Sequence, residues 1–282
     1  MSQKCKFLYF GTPYVARDTL AMLIGAGYTP EAVVTSPDAP RGRGMTLTPS
    51  DTGEWATAQG MHVLKPEKLT SEAIEELLAV GADYAIVVAY GKILPQKLID
   101  IFPKGVLNIH YSLLPKYRGA SPVESALLNG ETVTGVSIQQ MVYQLDAGDV
   151  LASKEETILS NDTTKELRAR LIPLGAQLLI DTLPAFEAST LTATPQNEGD
   201  ATFSGKIDKK DGELTFPGND QENWNKYRAY AESPGTYFFM ERGGKRMRVK
   251  IISATLDNGT FTPVRVIPEG KKEMAYADFA RA

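Results

Sequence analysis

Asn108 and His110 are separated by one residue in the segment 106–119, VLNIHYSLLPKYRG. The apolar residues before and between them predict a strand, and side chains two positions apart on a strand share a face. An amide and an imidazole side by side can donate hydrogen bonds to one small polar centre. The pair is therefore either a site that stabilises a reacting oxygen or a satisfied polar pair at the end of a core strand.

The loop that follows the pair favours a site. It places Ser112, Pro115 and Arg118 directly after the predicted strand. In open α/β sheets, ligands bind beyond the carboxyl ends of the strands, where such a loop lies. Binding and catalytic residues are also concentrated in loops that a rigid scaffold positions. We therefore interpret this segment as part of a ligand-binding site.

Asp146 lies in a predicted turn, LDAGD, between two strands. Turn aspartates are common, but a carboxylate beside His110 could orient the imidazole, keep it protonated or accept a proton from an attacking amine. The sequence offers no evident nucleophilic cysteine or serine–base pair, so direct transfer of an acyl-type group to an amine fits better than a covalent enzyme intermediate. Asn108 and His110 would then stabilise the oxyanion of a tetrahedral intermediate, an effect of roughly 3–4 kcal/mol for a good donor.

The elements that must position these residues alternate between strand and helix as far as about residue 190. Short apolar segments predict strands, and the run at 82–90, ADYAIVVAY, is typical of a central strand covered on both faces. Thr12 is a plausible N-cap of the first helix, with Pro13 at its first position. Pro173 should kink or break the long helix that begins near residue 163. This alternation predicts an open, mostly parallel α/β sheet.

Residues 37–50, PDAPRGRGMTLTPS, have no apolar period and predict a long exposed loop. Arg41 and Arg43, separated by a glycine, could bind phosphates or could be solvated loop charges. The two readings are evenly balanced on the sequence alone.

Composition restricts the class of protein. The chain has 282 residues, 43% hydrophobic and 23% charged, with one cysteine and two histidines. No apolar run approaches the roughly 20 residues of a membrane span, and the N-terminus has no cleavable signal pattern. We expect a cytoplasmic protein without a membrane association, a disulfide or a metal. Residues 205–282 hold 14 basic and 11 acidic side chains, against 16 and 23 in the rest, a weak indication of a polyanion partner.

A second, smaller domain is predicted after a polar segment near residue 191. A helix is predicted over 221–231, and β-like segments follow at 236–240, 246–254 and 260–267. Gly243-Gly244 and Asn258-Gly259 separate them as hairpin signals. We expect a small β-barrel-like domain whose basic segments either bind an extended anion or protect strand edges.

The motifs FGTP, RGRG, VVAYGKILP, LNIHYSLLPKYRGASPV and LDAGD, with the late EGKKEM and DF, together resemble the methionyl-tRNA formyltransferases, a family of folate-dependent formyltransferases. The resemblance covers nearly the whole chain. It implies a Rossmann-like catalytic domain over 1–190 that binds 10-formyltetrahydrofolate, a linker at 191–205 and an OB-like domain over 206–282 that contacts tRNA. The region between KIISA and VIPEGKK is short for this family, so we expect a shortened OB-like domain.

The resemblance also implies roles for single residues. Asn108, His110 and Asp146 match the catalytic positions. The folate site is implied to be lined by Ser112, Leu113, Leu114, Pro115 and Tyr90. Arg41 and Arg43 would reach the acceptor arm of the tRNA. The implied reaction is formyl transfer to the α-amino group of methionine on initiator methionyl-tRNA, by a monomeric enzyme that needs no metal.

Two alternatives stay open at this point. A sugar-nucleotide N-formyltransferase would use the same catalytic residues and can also carry an OB-like tail. The arginine loop and the basic second domain favour tRNA over such a nucleotide. A non-catalytic folate- or nucleotide-binding module is the other alternative, but binding alone does not need Asn108, His110 and Asp146 together.

Overall fold

Short strands alternate with helices through the first two thirds of the chain, in a computed structural model that describes residues 5–41 and 44–281. The strands are β1 Phe7–Gly11, β2 Ala32–Val34, β3 Ala39–Arg41, β4 Thr46–Thr48, β5 Val63–Leu64, β6 Tyr84–Val88, β7 Val106–His110, β8 Arg118–Gly119, β9 Val133–Gln140, β10 Val150–Thr157, β11 Phe203–Ser204, β12 Thr236–Arg242, β13 Lys245–Asp257, β14 Thr260–Pro268 and β15 Met274–Ala275. The helices are α1 Tyr14–Gly25, α2 Asp51–Ala58, α3 Ser71–Ala79, α4 Gln96–Ile99, α5 Pro122–Leu128, α6 Thr164–Glu187, α7 Asp220–Ala229 and α8 Tyr276–Arg281. Within these ranges, no helix combines the length and apolarity needed to cross a membrane.

Seven strands form the central sheet in the order β10-β9-β7-β6-β1-β2-β5. β1 pairs in parallel with β2 and β6, and β6 pairs in parallel with β7, whereas β7 and β9 are antiparallel. The strand order changes direction between β1 and β6, the place where open α/β sheets bind ligands beyond their strand ends. The expected mostly parallel α/β sheet is confirmed, and β7, which ends at His110, lies one strand from this switch.

Helices pack on both faces of the sheet. On one face, Phe10 of β1 belongs to a buried cluster with Leu77 of α3 and Leu98 of α4. On the other face, the Tyr9 hydroxyl donates a 2.6 Å hydrogen bond to the Ala16 carbonyl of α1. Because side chains alternate along a strand, consecutive residues of β1 reach opposite helical layers. The sheet is therefore a rigid support for whatever lies at its strand ends.

Two short strands, β3 and β4, which we call the hairpin, lie where the sequence predicted an exposed loop. β3 and β4 pair in antiparallel register, with Arg41 opposite Thr46. The segment has no apolar period because both strands are at the surface. Thr46 and Thr48 nevertheless have the β-branched side chains that favour strands, and the loop prediction was wrong for this reason.

The cap of the first helix differs from the one expected. Pro13, rather than Thr12, is the N-cap of α1 and makes no side-chain cap. The Thr12 hydroxyl instead donates to the Tyr90 carbonyl at 2.9 Å. The N-cap of α1 therefore lies one residue after the position that the pattern suggested.

The long helix α6 continues through Pro173 without a break. A proline removes one intrahelical hydrogen bond and usually kinks or ends a helix. Here the buried apolar face of α6 outweighs that loss, because tertiary packing supplies most helix stability in proteins. This face includes Leu171, Ala176, Leu179 and Leu183, each 0% exposed. Of the expected kink or break, the break does not occur at this proline.

The chain folds into two compact units, each built from several segments. The first unit comprises the chain up to Arg118 with 135–156 and 170–202, and the second comprises 119–134, 157–169 and 203–282. Residues 119–134 and 157–169 therefore pack with the C-terminal region. In the second unit, Asn225 of α7 donates to the Leu128 carbonyl of α5 at 3.3 Å.

The second unit contains a four-stranded antiparallel sheet in the order β12-β13-β14-β15. Phe238, Val249 and Phe261 on one face of this sheet share an apolar core with Trp224 of α7. The β13–β14 register shifts after Ile251, and such bulges bend and twist a strand. The expected antiparallel C-terminal domain is thus present as a sheet with its own core.

Candidate active site

β7 carries Asn108 and His110 on the same face as Val106, at the carboxyl end of the central sheet. Val106 lies in the buried cluster that contains Phe10. Asn108 and His110 are 8% and 5% exposed. Burying polar groups is costly unless they are hydrogen-bonded, so a core strand that ends in an amide and an imidazole indicates a built polar site.

The His110 imidazole is fixed through one nitrogen and faces a carboxylate with the other. Nε2 lies 2.9 Å from the Tyr117 carbonyl oxygen. A carbonyl only accepts hydrogen bonds, so Nε2 carries a proton and donates it. Nδ1 lies 3.7 Å from Oδ2 of Asp146, which is an ion-pair distance rather than a direct hydrogen bond. Nδ1 is therefore the nitrogen that can gain or lose a proton beside Asp146.

Asp146 is held by Gln139, a residue that the sequence analysis missed. Gln139 Nε2 donates to Asp146 Oδ1 at 2.7 Å, and Gln139 is 0% exposed. It lies directly opposite Asn108 in the β7–β9 pairing, and opposite residues share a face of the sheet. The available signal was the alternation of GVSIQQ, which puts Ser137 and Gln139 on one face of a buried strand.

The LDAGD turn brings Asp146 to this place through an unusual backbone. Asp146 has φ of 45°, a left-handed conformation that aspartate tolerates better than most residues. Two residues later, a Cβ on Gly148 would lie 1.8 Å from the Gln140 carbonyl oxygen. The turn therefore needs glycine at that position, because the chain passes too close to β9 for any side chain.

The loop after β7 is closed by serine hydroxyl groups. Ser137 donates to the Ser112 carbonyl at 2.8 Å and accepts from the Leu114 amide at 3.0 Å. The Ser112 hydroxyl donates to the Lys116 carbonyl at 2.5 Å, and Ser112 is 0% exposed. Its hydroxyl is thus used within the loop, which fixes the backbone of the segment 112–116.

The apolar residues of the same loop are partly accessible. Leu113, Leu114 and Pro115 are half-buried. A Cβ on Gly135 of β9 would lie 2.6 Å from a Leu113 methyl carbon, so this leucine packs directly over the glycine backbone. The three side chains form an ordered apolar surface beside the polar residues of β7.

Tyr90 lies deeper than a residue that contacts a ligand directly. It is 2% exposed, and its ring meets that of Phe10 edge-on at 5.3 Å. Burial raises the pKa of its phenol to about 12. Its hydroxyl has no hydrogen-bond partner among residues 5–41 and 44–281. Tyr90 therefore contributes packing at the end of β6.

Arg118 turns inward instead of facing a ligand. Its side chain is 0% exposed, and its two terminal nitrogens donate to the Glu198 carboxylate at 3.0 and 2.8 Å. This bidentate contact lowers the pKa of Glu198. A fully buried guanidinium needs such partners, so Arg118 has a structural role.

The two arginines assigned to tRNA are only partly covered by the structure. Arg43 lies outside the described residues, and of Arg41 only the backbone, at the end of β3, is described. After them on the hairpin, Met45 and Leu47 are 68% and 69% exposed. The described part of the hairpin thus presents apolar side chains at the surface.

A metal site does not accompany these residues. In the part of the chain that the structure describes, no three His, Cys, Asp or Glu side chains come together as metal ligands. The arrangement could donate a hydrogen bond from Asn108 and pass a proton between His110 and Asp146.

The chain, with its doubly wound sheet and polar strand end, belongs to the class of formyl transferases. The formyl transferase family model matches residues 4–183, a range that includes β7 and the Asp146 turn.

Comparison with curated proteins identifies the family within this class. The chain is 37% identical over 292 residues to the methionyl-tRNA formyltransferase of Koribacter versatilis, covering 96% of this chain and 94% of that one. It is 36% identical over 295 residues to the Listeria monocytogenes protein of the same name, covering 97% and 94%. The chain belongs to the methionyl-tRNA formyltransferase family.

Solved structures share the fold at lower identity. An N-formyltransferase from Helicobacter canadensis, solved with folinic acid and dTDP-3-aminofucose, has a TM-score of 0.70 at 20% identity and covers 96% of this chain and 99% of that one. WlaRD, a sugar 3N-formyl transferase solved in the presence of dTDP and 5-N-formyl-THF, has a TM-score of 0.66 at 17% identity, covering 91% and 88%.

Proposed function

We propose that this chain transfers a formyl group from 10-formyltetrahydrofolate to the α-amino group of methionine on initiator methionyl-tRNA, for translation initiation. The observation that carries the proposal is the approach of Asp146 to His110 Nδ1 beside Asn108, in a chain of this family. An inert polar strand end would not need a carboxylate positioned on the one imidazole nitrogen that can exchange a proton.

The reaction needs charge stabilisation and one proton transfer. The bond between the donor nitrogen and the formyl carbon breaks, and a bond from the methionine amine to that carbon forms. Asn108 would donate a hydrogen bond to the formyl oxygen, where negative charge develops. The proton lost by the amine must reach the departing nitrogen, and His110 Nδ1 with Asp146 provides groups that can accept and return it.

The folate co-substrate supplies an activated formyl group at this place. The half-buried Leu113, Leu114 and Pro115 fit a flat, largely apolar ligand beside the polar strand end. We propose that they line its site, that Ser112 shapes the loop through its own hydroxyl, and that Tyr90 supports the site from the core. Ligand sites of this composition, apolar with a few placed polar groups, are the common type.

We propose that the β3–β4 hairpin contacts the acceptor arm of the tRNA. Arg41 and Arg43 would bind phosphates or stack on end bases. The exposed Met45 and Leu47 on the same hairpin could pack against unstacked bases, since apolar side chains insert where base stacking is interrupted.

A second tRNA contact is proposed on β12 and β13, which we call the cationic face. The Arg246 guanidinium stacks on the Phe239 ring at 3.8 Å, and Arg248 stacks on Tyr237 at 3.7 Å. Lys250 lies opposite Tyr237 in the strand pairing, and all three cations are exposed. The Arg246 guanidinium also faces the Glu213 carboxylate at 3.5 Å. Because a guanidinium can stack on a ring and still present its N–H edge to a phosphate, this exposed face suits the backbone of a nucleic acid.

We further propose that the antiparallel sheet of the second unit is a shortened OB-like domain, supported by its bulged β13 and its hairpin order. The formyltransferase domain would then correspond to 1–190 and the tRNA-contacting domain to 206–282, joined by 191–205. We propose a cytoplasmic monomer, as the family resemblance implies.

The test incubates the protein with 10-formyltetrahydrofolate and one of two amine substrates, and measures which amine is formylated. Charged initiator methionyl-tRNA should be formylated, whereas an amino-sugar nucleotide should not. Uncharged tRNA is the control, because it has no methionine amine. Formylation of the sugar nucleotide alone would instead establish the sugar-nucleotide alternative.

A further inference from the structure

Residues 194–202, which we call the strap, lie within the segment predicted as a linker but are bonded throughout to the first unit. At one end, Thr194 exchanges two 2.9 Å backbone hydrogen bonds with Val150 of β10. At the other end, the Thr202 carbonyl accepts from the Arg118 amide at 2.8 Å. A mere connection would not need these contacts, so the strap has a positional role.

Gln196 in the strap holds the turn that carries Asp146. Its Nε2 donates to the Asp146 carbonyl at 2.8 Å and to the Gly148 carbonyl at 2.6 Å. Its Oε1 accepts from Arg118 Nε at 3.0 Å. A glutamine amide has two donors and one acceptor oxygen, and all of these functions are used here.

Thr202 holds the other loop of the site. Its hydroxyl accepts from the Tyr117 amide at 2.8 Å. The carbonyl of Tyr117 in turn accepts from His110 Nε2 at 2.9 Å. The strap therefore contacts both backbones that fix the His110–Asp146 pair, one through Gln196 and one through Thr202.

Both of those backbones need external support. Asp146 has φ of 45° and Tyr117 has φ of 59°, conformations that non-glycine residues rarely adopt and that persist only where surrounding contacts determine them. The strap supplies hydrogen bonds at each of the two positions. Arg118 is buried, pairs with Glu198 and also donates to Gln196, so it links the strap to the loop after β7.

We propose that Gln196 and Thr202 are positioning residues, which set the separation of His110 Nδ1 and Asp146 by fixing the two loops from one segment. This inference deepens the proposed formyl transfer and rests on it. Neither residue touches the reacting atoms. Their effect should therefore fall on kcat, because a displacement of about 1 Å in a reacting pair can cost about 100-fold in rate.

The test uses near-isosteric variants of the full chain. Gln196→Met removes both amide donors and the acceptor at similar size, and Thr202→Val removes only the hydroxyl. Each should lower kcat by about 10- to 100-fold with the KM values for both substrates changed less than about threefold, as expected when transition-state interactions alone are lost. Gln177→Met is the matched control, because Gln177 is exposed on α6 and bonds Asp181.

A spectroscopic readout separates positioning from general destabilisation. The chain has only two histidines, His62 and His110, so ¹⁵N spectra of the imidazoles can be assigned by comparison with His62→Ala. Gln196→Met and Thr202→Val should shift the His110 resonances and leave those of the exposed His62 in place. Should Gln196→Met unfold the chain, Glu198→Gln is the second variant, since Glu198 is largely exposed while holding Arg118.

The outcomes test the positioning role of Gln196 and Thr202 separately from the proposed formyl transfer. Unchanged kcat together with unchanged His110 resonances in both strap variants would overturn the positioning role. A kcat loss with no change at His110 would also overturn it. A parent chain that fails to formylate methionyl-tRNA would overturn the proposed function instead, and the imidazole spectra would still test the positioning role by themselves.

Discussion

Two surfaces of the molecule carry polar side chains but differ in burial. One is the face of the central sheet that ends in Asn108 and His110, and the other is the cationic face of β12 and β13. Asn108, His110 and Gln139 are at most 8% exposed. Arg246 and Arg248 on the cationic face are exposed and rest on aromatic rings. The first face is a buried set of polar side chains, and the second is an exposed array of charged side chains.

This difference in burial indicates that the first face acts on the reaction rate and the second on binding. In a buried site, a donor keeps one geometry and its electrostatic effect is not weakened by water, so single atoms decide the rate. On an exposed face, salt screens each charge, and several weak phosphate contacts add up. We therefore expect substitutions at the first face to change kcat and substitutions at the second to change binding and its salt dependence.

The largest effect is expected for His110→Ala. Removing the imidazole should lower kcat by about 10²- to 10⁴-fold, the usual contribution of general acid–base catalysis. His62→Ala is the control, because His62 is the only other histidine and is exposed. Initial rates and thermal melting of both variants check this. Near-normal formylation by His110→Ala would remove His110 from the mechanism.

Asn108→Ala should lower kcat by about 10²- to 10³-fold, as does the loss of one oxyanion donor. Steady-state kinetics with both substrates measure the effect. A change confined to KM would make Asn108 a ground-state binding residue and would weaken the distinction between the two faces.

Asp146→Asn should lower kcat by about 10- to 100-fold and change its pH profile, because the carboxylate beside His110 Nδ1 is lost. The fold should persist, since the new amide oxygen can still accept from Gln139. The rate is measured across pH 5–9 or so, with the parent chain alongside. Full activity with an unchanged profile would return Asp146 to the role of a turn former.

Arg41→Ala with Arg43→Ala should weaken tRNA binding by about tenfold and reduce the salt slope of log Kd by about two, one for each phosphate contact. Folate affinity is the control and should not change, because the folate loop is a separate segment. tRNA binding is measured across a salt series. Coinciding slopes for variant and parent would show that the hairpin is not a tRNA element.

The smallest effect is expected for Arg246→Ala with Arg248→Ala. Binding of tRNA should weaken severalfold, and the salt slope should fall by up to about two, with kcat at saturating tRNA unchanged. Arg265→Ala is the matched control, since Arg265 is an exposed arginine that pairs with Glu273 in the same sheet. A fall in kcat at saturating tRNA would contradict the expectation that the cationic face affects only tRNA binding.

Much of the fold was predictable because its elements have clear periods. Apolar runs predicted the buried strands β1, β6 and β7, and the Asn108–His110 spacing placed both residues on one face. The hairpin at 39–48 was missed because two exposed strands have no apolar period to detect. The continuity of α6 through Pro173 was missed because packing outweighed a local rule.

The partners of the candidate site were harder to predict than its central residues. Gln139 could have been found from the alternation of polar side chains in β9. Gln196 gave no such signal, because a polar aperiodic segment looks the same whether it is a free linker or a strap. Its contact with Arg118 joins residues 78 positions apart, and no local pattern reports a pairing at that distance.

The sheet, the polar end of β7 and the family resemblance were predictable from the amino-acid sequence, since each depends on residue types at short, regular spacing. Packing in three dimensions brings Asp146 to His110 Nδ1 and the Tyr117 carbonyl to Nε2, and it lets one strap hold both loops. The physical reason is that hydrophobic periodicity reports only which side of an element is buried. Which polar atoms then meet depends on how distant segments pack, because buried donors and acceptors must each find a partner within hydrogen-bond distance.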